Sequence, residues 1–319
     1  MDPLFDLHGA RVWVAGHRGM VGSALVRRLS REPVDLLTIG RDELDLRDGA
    51  AVRAWLAGHR PDVVIMAAAK VGGISANDRM PADFLSENLA MALTVIDGSH
   101  AVGVRKLLMM GSSCVYPKLA PQPIREDAIL TGPLEPTNQW YAVAKIAAMK
   151  LCQARRRQDG ADFISVMPTN LYGPGDNYHP EDSHVPAGLI QRMDQARRAG
   201  AAEVTVWGTG APLREFLFVD DLADACVHVL RHYSDEPPIN IGSGQELSVK
   251  AFAGKVAEAV GYRGAIRFDT SRPDGTPRKL LDSARLEALG WRARTPLDEG
   301  LRLTYADYLA RLQAGQIAA

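Results

Sequence analysis

The segment RVWVAGHRGMVGSALVRRLS, residues 11–30, decides the fold. Arg11 to Ala15 is a short apolar, β-branched run, the pattern of a buried strand. Gly16-His17-Arg18-Gly19-Met20-Val21-Gly22 follows at once, and Ser23 to Ser30 continues with amphipathic helical spacing. Glycines 16, 19 and 22 therefore fall in a strand-to-helix turn. The first permits the tight turn, the second lets backbone approach a pyrophosphate, and the third lets helix pack on strand, with the diphosphate at the helix N-terminus. A tight turn that only needs glycine is the competing reading. Placement between a strand and a helix at the head of the chain favours the dinucleotide, and with it a doubly wound α/β Rossmann fold on a parallel sheet.

The next strand, Val34 to Ile39, bears on the cofactor. A carboxylate at its end would bind the ribose 2′-hydroxyl of NAD. Gly40-Arg41 stands there instead, and Arg18 lies in the glycine turn. Two guanidiniums suit a 2′-phosphate, which predicts NADP(H). The alternative for Arg41 is a surface ion pair with Asp42 or Glu43. Asp48 to His59 reads as a helix and Val63 to Ala67 as the third strand. Ala67, Ala68 and Ala69 are small, as a passing cofactor requires, and Lys70 to Ile74 is a loop at the carboxyl end of that strand. Pro81 to Val102 is a long helix, in which a buried Asn88 could tie backbone together. Lys106 to Met110 is the fourth strand, ending at Gly111-Ser112-Ser113-Cys114. Phe163 to Met167 is the fifth, followed by Pro168-Thr169-Asn170-Leu171. Strand ends of such a sheet face one crevice, so Met110, Gly111, Ser113, Pro168, Thr169, Asn170 and Leu171 join the glycine turn, Arg41, Ala67 and Ala68 as expected cofactor contacts.

Tyr141 and Lys145 are four apart in a stretch with helical apolar spacing (Val143, Ile146, Ala147, Leu151), so both project from one helix face. A Lys ammonium one turn from a Tyr phenol is expected to favour the phenolate and lower its pKa from about 10. Such a phenol passes a proton to or from a carbonyl or alcohol oxygen near neutrality. Alone, the pair is a weak signal, and an exposed helix pair is the stronger reading. Ser112 changes that, since it ends a strand facing the same crevice: Ser112, Tyr141 and Lys145 can converge where hydride meets a carbonyl, with two hydroxyls holding the oxygen.

Bulk properties exclude several classes. With 319 residues, 46% hydrophobic and 24% charged, the composition is that of a soluble globular protein of one to two domains. A net charge of −1 gives no reason to expect nucleic acid or an anionic membrane as partner. No apolar run approaches the roughly 20 residues of a membrane span, and Met1-Asp2-Pro3-Leu4 lacks a signal-peptide pattern. Three scattered cysteines form no disulfide framework and no metal spacing, so a reduced, cytoplasmic protein without a metal site is expected. After Gly175 the strict alternation stops. Asp176 to Asp182 is a polar loop and Val185 to Arg198 a helix. Val204 to Trp207 is a short strand, and Arg214 to Asp221 leads into a helix capped by Asp220 or Asp221. Ile239 to Gly242 returns to the sheet, while Ser248 to Val260, Ser283 to Leu289 and Leu297 to Leu312 read as helices of a smaller C-terminal lobe.

Six segments now carry a resemblance: GHRGMVGSALVRRL (16–29), GSSCVYPKLAPQPIREDAILTGPLEPTNQWYAVAKIAAMKLC (111–152), PTNLYGPGDNY (168–178), SHVPAGLI (183–190), VWGTGAPLREFLFVDDLADA (206–225) and RPDGTPRKLLD (272–282). The chain resembles the extended short-chain dehydrogenase/reductase superfamily and, within it, the GDP-L-fucose synthase family. That resemblance implies an NADP-dependent oxidoreductase with epimerase activity, acting on GDP-4-keto-6-deoxy-D-mannose. Bases remove the acidified protons at C3 and C5, acids return them from the other face, and NADPH reduces C4. The family's epimerisation pair carries over to Cys114 and His184, and its reductase triad to Ser112, Tyr141 and Lys145, with His184 also beside the cofactor. By family position Arg192, Trp207, Arg214 and Lys279 meet the nucleotide, Asp274 lies near it, and Asn170 and Leu171 line the junction of cofactor and sugar. The implied division is an NADP-binding domain over 1–175 with 217–243 and a sugar-nucleotide domain over 176–216 with 244–319.

The residue types suit this chemistry, since an ordinary thiol (pKa near 8.5) and imidazole (near 6.5) both exchange protons close to neutrality. Which of Cys114 and His184 is base at each carbon stays open. Cys152 and Cys226 fall in apolar patterns and read as core. His8, His59, His100, His179, His228 and His232 read as structural or surface. A relative acting on another 4-keto sugar nucleotide, a 4-epimerase or dehydratase with tightly held NAD, and a non-catalytic NADP-binding redox sensor are the competing functions. Against them stand Ser113-Cys114, where a dehydratase has Asp-Glu, Arg41, and the retained Tyr141 and Lys145. A homodimer through helices of the dinucleotide lobe is expected from the superfamily.

Overall fold

The apolar runs of the first half become strands of one sheet. The computed structural model describes residues 2–179, 182–271 and 274–317. Pro180 and Glu181 of the polar loop, and Arg272 and Pro273 of the last quoted segment, lie outside them. In chain order the first half holds β1 (Arg11–Ala15), α1 (Met20–Leu29), β2 (Asp35–Leu37), α2 (Gly49–His59), β3 (Val63–Met66), α3 (Ile74–Arg79), α4 (Pro81–Ala101), β4 (Lys106–Met110), α5 (Gln139–Asp159) and β5 (Phe163–Pro168). The second half adds β6 (Asn170–Tyr172), α6 (Val185–Arg198), β7 (Glu203–Trp207), β8 (Leu213–Phe218), α7 (Val219–His232), β9 (Ile239–Ile241), β10 (Glu246–Ser248), α8 (Val249–Val260), β11 (Ala265–Asp269), β12 (Arg278–Lys279), α9 (Ala284–Ala288) and α10 (Leu297–Gln313).

Strands β2-β1-β3-β4-β5-β9, in that order, form a fully parallel sheet. β3, β4 and β5 are buried end to end because helices cover both faces. On one face Val12, Val14, Leu25, Ile65 and Leu108 pack with Leu222 and Cys226 of α7. On the other, Trp13, Val64 and Leu107 pack with Leu56 of α2, Ile96 of α4 and Cys152 of α5. Each fully buried aliphatic side chain contributes about 1.5–3 kcal/mol, so these two layers hold the sheet. Strand order reverses between β1 and β3. The loops leaving those strands therefore diverge, and a crevice opens at their carboxyl ends.

The second lobe is built around β8, which pairs with β6 and β12 in parallel and β10 antiparallel. β7 and β11 form a separate parallel pair. Ile190 and Met193 of α6, Phe252 and Val256 of α8, and Leu301 and Tyr308 of α10 share a core with Phe216 and Phe218. The chain crosses between lobes at Thr169, whose N–H still bonds the Ile241 carbonyl at 3.0 Å before Asn170 joins the other sheet. The crossing from one sheet to the other thus lies where β5 ends.

Several expectations need correction. Asp220 and Asp221 do not cap α7, whose N-cap position is Phe218 and carries no side-chain cap. Strand β8 runs directly into the helix, and the carboxylates bind elsewhere: Asp220 to Arg27 at 2.5 Å, Asp221 to the Thr295 N–H at 2.9 Å. Helix α9, expected in the smaller lobe, packs its Leu286 into the core of the parallel sheet together with Trp291. Helix α1 begins at Met20, inside the glycine segment rather than after it. Strands β6, β10 and β12 are too short for any period and exist through their partners. The basic run Arg155-Arg156-Arg157 at the end of α5 is ion-paired with Asp97, Asp162 and Glu236 at 2.9, 2.8 and 2.6 Å. Asn88 does tie backbone together: it accepts from the Lys70 N–H at 2.9 Å and donates to the Lys70 and Phe84 carbonyls at 3.0 and 2.7 Å.

Candidate active site

The glycine turn has the shape of a diphosphate cradle. Gly16 sits at φ +91°, and a Cβ there would lie 2.6 Å from the Cα of Ala68. A Cβ on Gly22 would collide with the Gly16 carbonyl, so helix and turn touch only because both positions are bare. Gly19 is the N-cap of α1, makes no side-chain cap, and no acidic residue follows in the first turn. The helix N-terminus, flanked by His17, Met20 and Val21, thus presents its N–H groups to the crevice. These features fit a dinucleotide. Gly40 lies against the Arg18 guanidinium, which brings Arg18 to the end of β2 beside Arg41. Asp42 pairs with Arg18 at 2.6 Å rather than with Arg41, whose nearest carboxylate is Glu87 at 3.9 Å. Arg41 remains largely exposed. The small Ala67 and Ala68 follow β3, and Gly111 follows β4 with its missing Cβ filled by the Met167 side chain.

A single 3₁₀ turn, Ser113–Val115, follows and packs on α5. Ser112 caps that turn, its Oγ accepting from the Cys114 N–H at 3.2 Å. Its own O–H stays available to donate. Ser113 is buried, while Cys114 keeps partial exposure. Lys145 is buried in α5, and its Nζ donates to the Met110 carbonyl at 2.9 Å while lying 5.7 Å from the centroid of the Tyr141 ring. Desolvation lowers Lys145 to about 8. Here the expected effect on Tyr141 is reversed. Desolvation, then the charge of Cys114, push the phenol above its usual range. Lys145 is bonded to a carbonyl and lies over the ring, and desolvation of the phenol outweighs its attraction. Burial thus favours the protonated phenol of Tyr141 over the phenolate.

Cys114 is the meeting point of both lobes. Asn138 Nδ2 donates to its sulfur at 3.4 Å, and Lys279 Nζ lies 4.0 Å away. Lys279 is paired in register with Arg214 on β8, and the charge of Cys114 acts on Arg214 as it does on Tyr141. Among the described residues Arg214 donates only to the Leu213 carbonyl at 2.8 Å, and Arg192 only to the Thr205 carbonyl at 2.9 Å. Desolvation lowers the pKa of both. Among the described residues neither guanidinium has an ion-pair partner, so a buried anion would offset their desolvation. Trp207 is exposed at the end of β7. Asp274 grips the adjoining turn, accepting from the N–H and hydroxyl of Thr209 at 2.9 and 2.7 Å. Asn170 donates to the Glu215 carbonyl at 2.8 Å and Thr169 is buried beside it, with Pro168 and Leu171 adjacent along the chain.

His184 is joined to this cluster by no hydrogen bond among the described residues. It opens α6, at the end of a loop pinned to the segment after β3: the Gly73 N–H donates to the Asp182 carbonyl at 2.9 Å. Its imidazole bonds no group among the described residues. One side reaches solvent, yet the surrounding chain desolvates it enough to lower its pKa. Cys152 and Cys226 are core, with burial pushing Cys152 up to about 12. Sequence reasoning assigned Lys279 to the nucleotide and missed its approach to the thiol. It also passed over Asn138, whose only linear signal is an Asn three residues before Tyr141.

Comparison with known proteins agrees with this geometry. Residues 12–242 match the sequence family described as the NAD dependent epimerase/dehydratase family. GDP-L-fucose synthase of Sinorhizobium fredii is 54% identical over 310 residues, covering 97% of this chain and 99% of that one. The Escherichia coli enzyme of the same name is 50% identical over 309 residues, covering 94% and 96%. A solved GDP-L-fucose synthetase from Naegleria fowleri, bound to NADP, matches with a TM-score of 0.89 at 28% identity over 98% of each chain. Half the residues are shared along nearly the whole of both chains, so this chain belongs to the NAD dependent epimerase/dehydratase family and, within it, to the GDP-L-fucose synthases.

Proposed function

We propose that the chain converts GDP-4-keto-6-deoxy-D-mannose to GDP-L-fucose, by epimerisation at C3 and C5 followed by NADPH-dependent reduction at C4. The observation that carries this reading is the thiol of Cys114 set between the Tyr141 helix and the cations Arg214 and Lys279. A plain reductase has no use for an exchangeable thiol there. NADPH supplies hydride to C4; the turn from Gly16 to Gly22 would hold its diphosphate, Arg18 and Arg41 its 2′-phosphate, and Lys145 its ribose.

The remaining work falls to the chain. Arg192, Arg214 and Lys279 offer positive charge to the GDP diphosphate, and Trp207 an apolar face to the nucleotide. Ser112 and Tyr141 donate to the C4 oxygen. Enolate charge that develops when C3 or C5 loses its proton rests on those two donors. Cys114 and His184 take and return the protons. An alkoxide at C4 then takes the phenolic proton of Tyr141, which is protonated beforehand because its pKa is raised. One oxyanion site thus serves both stages. We place substrate between the lobes and read the chain as a cytoplasmic homodimer, with exposed Leu93 on α4 and Trp140 and Val143 on α5 available to a second copy.

Incubation with GDP-4-keto-6-deoxy-D-mannose and NADPH in D₂O tests the assignment by NMR. GDP-L-fucose carrying deuterium at C3 and C5 is expected. A reduced sugar that keeps the manno configuration and protium at both carbons would refute the epimerase half.

A further inference from the structure

Asn138 holds the N-cap position of α5, where an Asn side chain ordinarily accepts a hydrogen bond from an N–H two or three residues on. It makes no such bond. Its carboxamide points the other way, Nδ2 donating to Cys114 Sγ at 3.4 Å. Oδ1 is buried and has no partner among the described residues. A strong capping residue that gives up its cap and leaves a buried acceptor unpaired weakens the helix start. Local rules are broken in this way where a site takes precedence over stability. Tyr141 stands one turn further along the same helix.

We propose that Asn138 is the positioning residue for Cys114: its amide N–H holds the sulfur towards the cleft and favours the thiolate that exchanges substrate protons. An N–H donor stabilises a charged acceptor more than a neutral one, so the bond is stronger to S⁻ than to S–H. Three charged or titratable groups face the same sulfur. Lys279 reaches it from β12 at 4.0 Å, Arg214 acts on it from β8, and the phenol of Tyr141 faces it from α5. The two cations supply charge without direction. Asn138 adds direction, because an amide N–H bonds along a defined line.

The role given to the thiolate rests on the epimerase-reductase reading, so the test is chosen to stand without it. The full-length protein, free of substrate, is alkylated with iodoacetamide across pH 6 to 10, and Cys114 modification is followed by peptide mass spectrometry. Buried Cys152 and Cys226 stay unmodified while the fold holds and serve as internal controls. Asn138→Ala is expected to raise the pH midpoint of Cys114 alkylation by about half to one unit, slowing the reaction at pH 7 about three- to tenfold. Asn138→Asp is isosteric and an equally good cap, yet it replaces a donor with negative charge, so its midpoint is expected to rise at least as far. A wild-type profile in Asn138→Asp would leave Asn138 without influence on the sulfur and overturn the proposal. So would an unchanged or lowered midpoint in Asn138→Ala, the lowered one placing the amide oxygen against S–H. With substrate, deuterium exchange at C3 and C5 should fall in proportion while NADPH affinity holds. A shifted alkylation profile in a protein that exchanges no substrate protons, wild type included, sinks the proposed function and leaves Asn138 in its role.

Discussion

Lys145→Met should make the protein more stable at pH 7 while removing its reductase activity. Burial lowers Lys145 from 10.5 to about 8, so keeping it charged at pH 7 costs about 3 kcal/mol. Its contact with the Met110 carbonyl at 2.9 Å returns part of this, and losing that bond costs about 1 kcal/mol. Methionine fills similar volume without charge, so the variant should gain about 2 kcal/mol at pH 7. The sign with pH follows from the depressed value. Stability tied to Lys145 is fully present above the unfolded-chain pKa of 10.5 and is lost as pH falls through about 8. The advantage of the variant should therefore shrink by about 1.4 kcal/mol per pH unit through that window and vanish near pH 9.5. Urea unfolding of parent and variant at pH 7 and 9.5 measures both numbers. A variant less stable at pH 7, or a difference that does not change with pH, would show that Lys145 carries no desolvation penalty and that the account of this buried cation is wrong.

Three further outcomes are expected. Cys114→Ser should lose deuterium exchange at C3 and C5 by about 10²-fold or more while NADPH binding, read by fluorescence titration, is unchanged; wild-type exchange would remove the thiol from the chemistry. Tyr141→Phe should cut C4 reduction by about 10²- to 10⁴-fold. Because the phenol's pKa is raised, wild-type reduction should show no loss from Tyr141 ionisation up to pH 9; a fall assigned to that group would restore the standing phenolate. Arg41→Ala should narrow the preference for NADPH over NADH by on the order of tenfold. Asp42 already engages Arg18 at 2.6 Å, so an unchanged ratio of kcat/KM for the two cofactors would mean that Arg18 alone reads the 2′-phosphate.

The linear chain determined most of the dinucleotide lobe. Strands such as Val63–Met66 and Lys106–Met110 are apolar runs between glycine- and charge-rich turns, and helices such as Gly49–His59 begin at a capping Asp48. Those signals are local: side-chain period, β-branching, capping and the backbone freedom of Gly16 all act over a few residues, so reading them needs no partner. Spacing and resemblance likewise placed Ser112, Cys114, Tyr141 and Lys145 together. Tertiary structure decided the rest. Strands β6 and β12 exist because β8 lies beside them, and α9 joins the sheet core because Leu286 finds its burial there. The direction of the Tyr141 shift depended on whether desolvation or the Lys145 charge prevails, and that depends on where Nζ points. The pairing of Asn138 and Lys279 with one sulfur joins residues 24 and 165 positions from Cys114. Distance along the chain says nothing about such meetings, because burial and charge act through space and only the folded core fixes which groups share it.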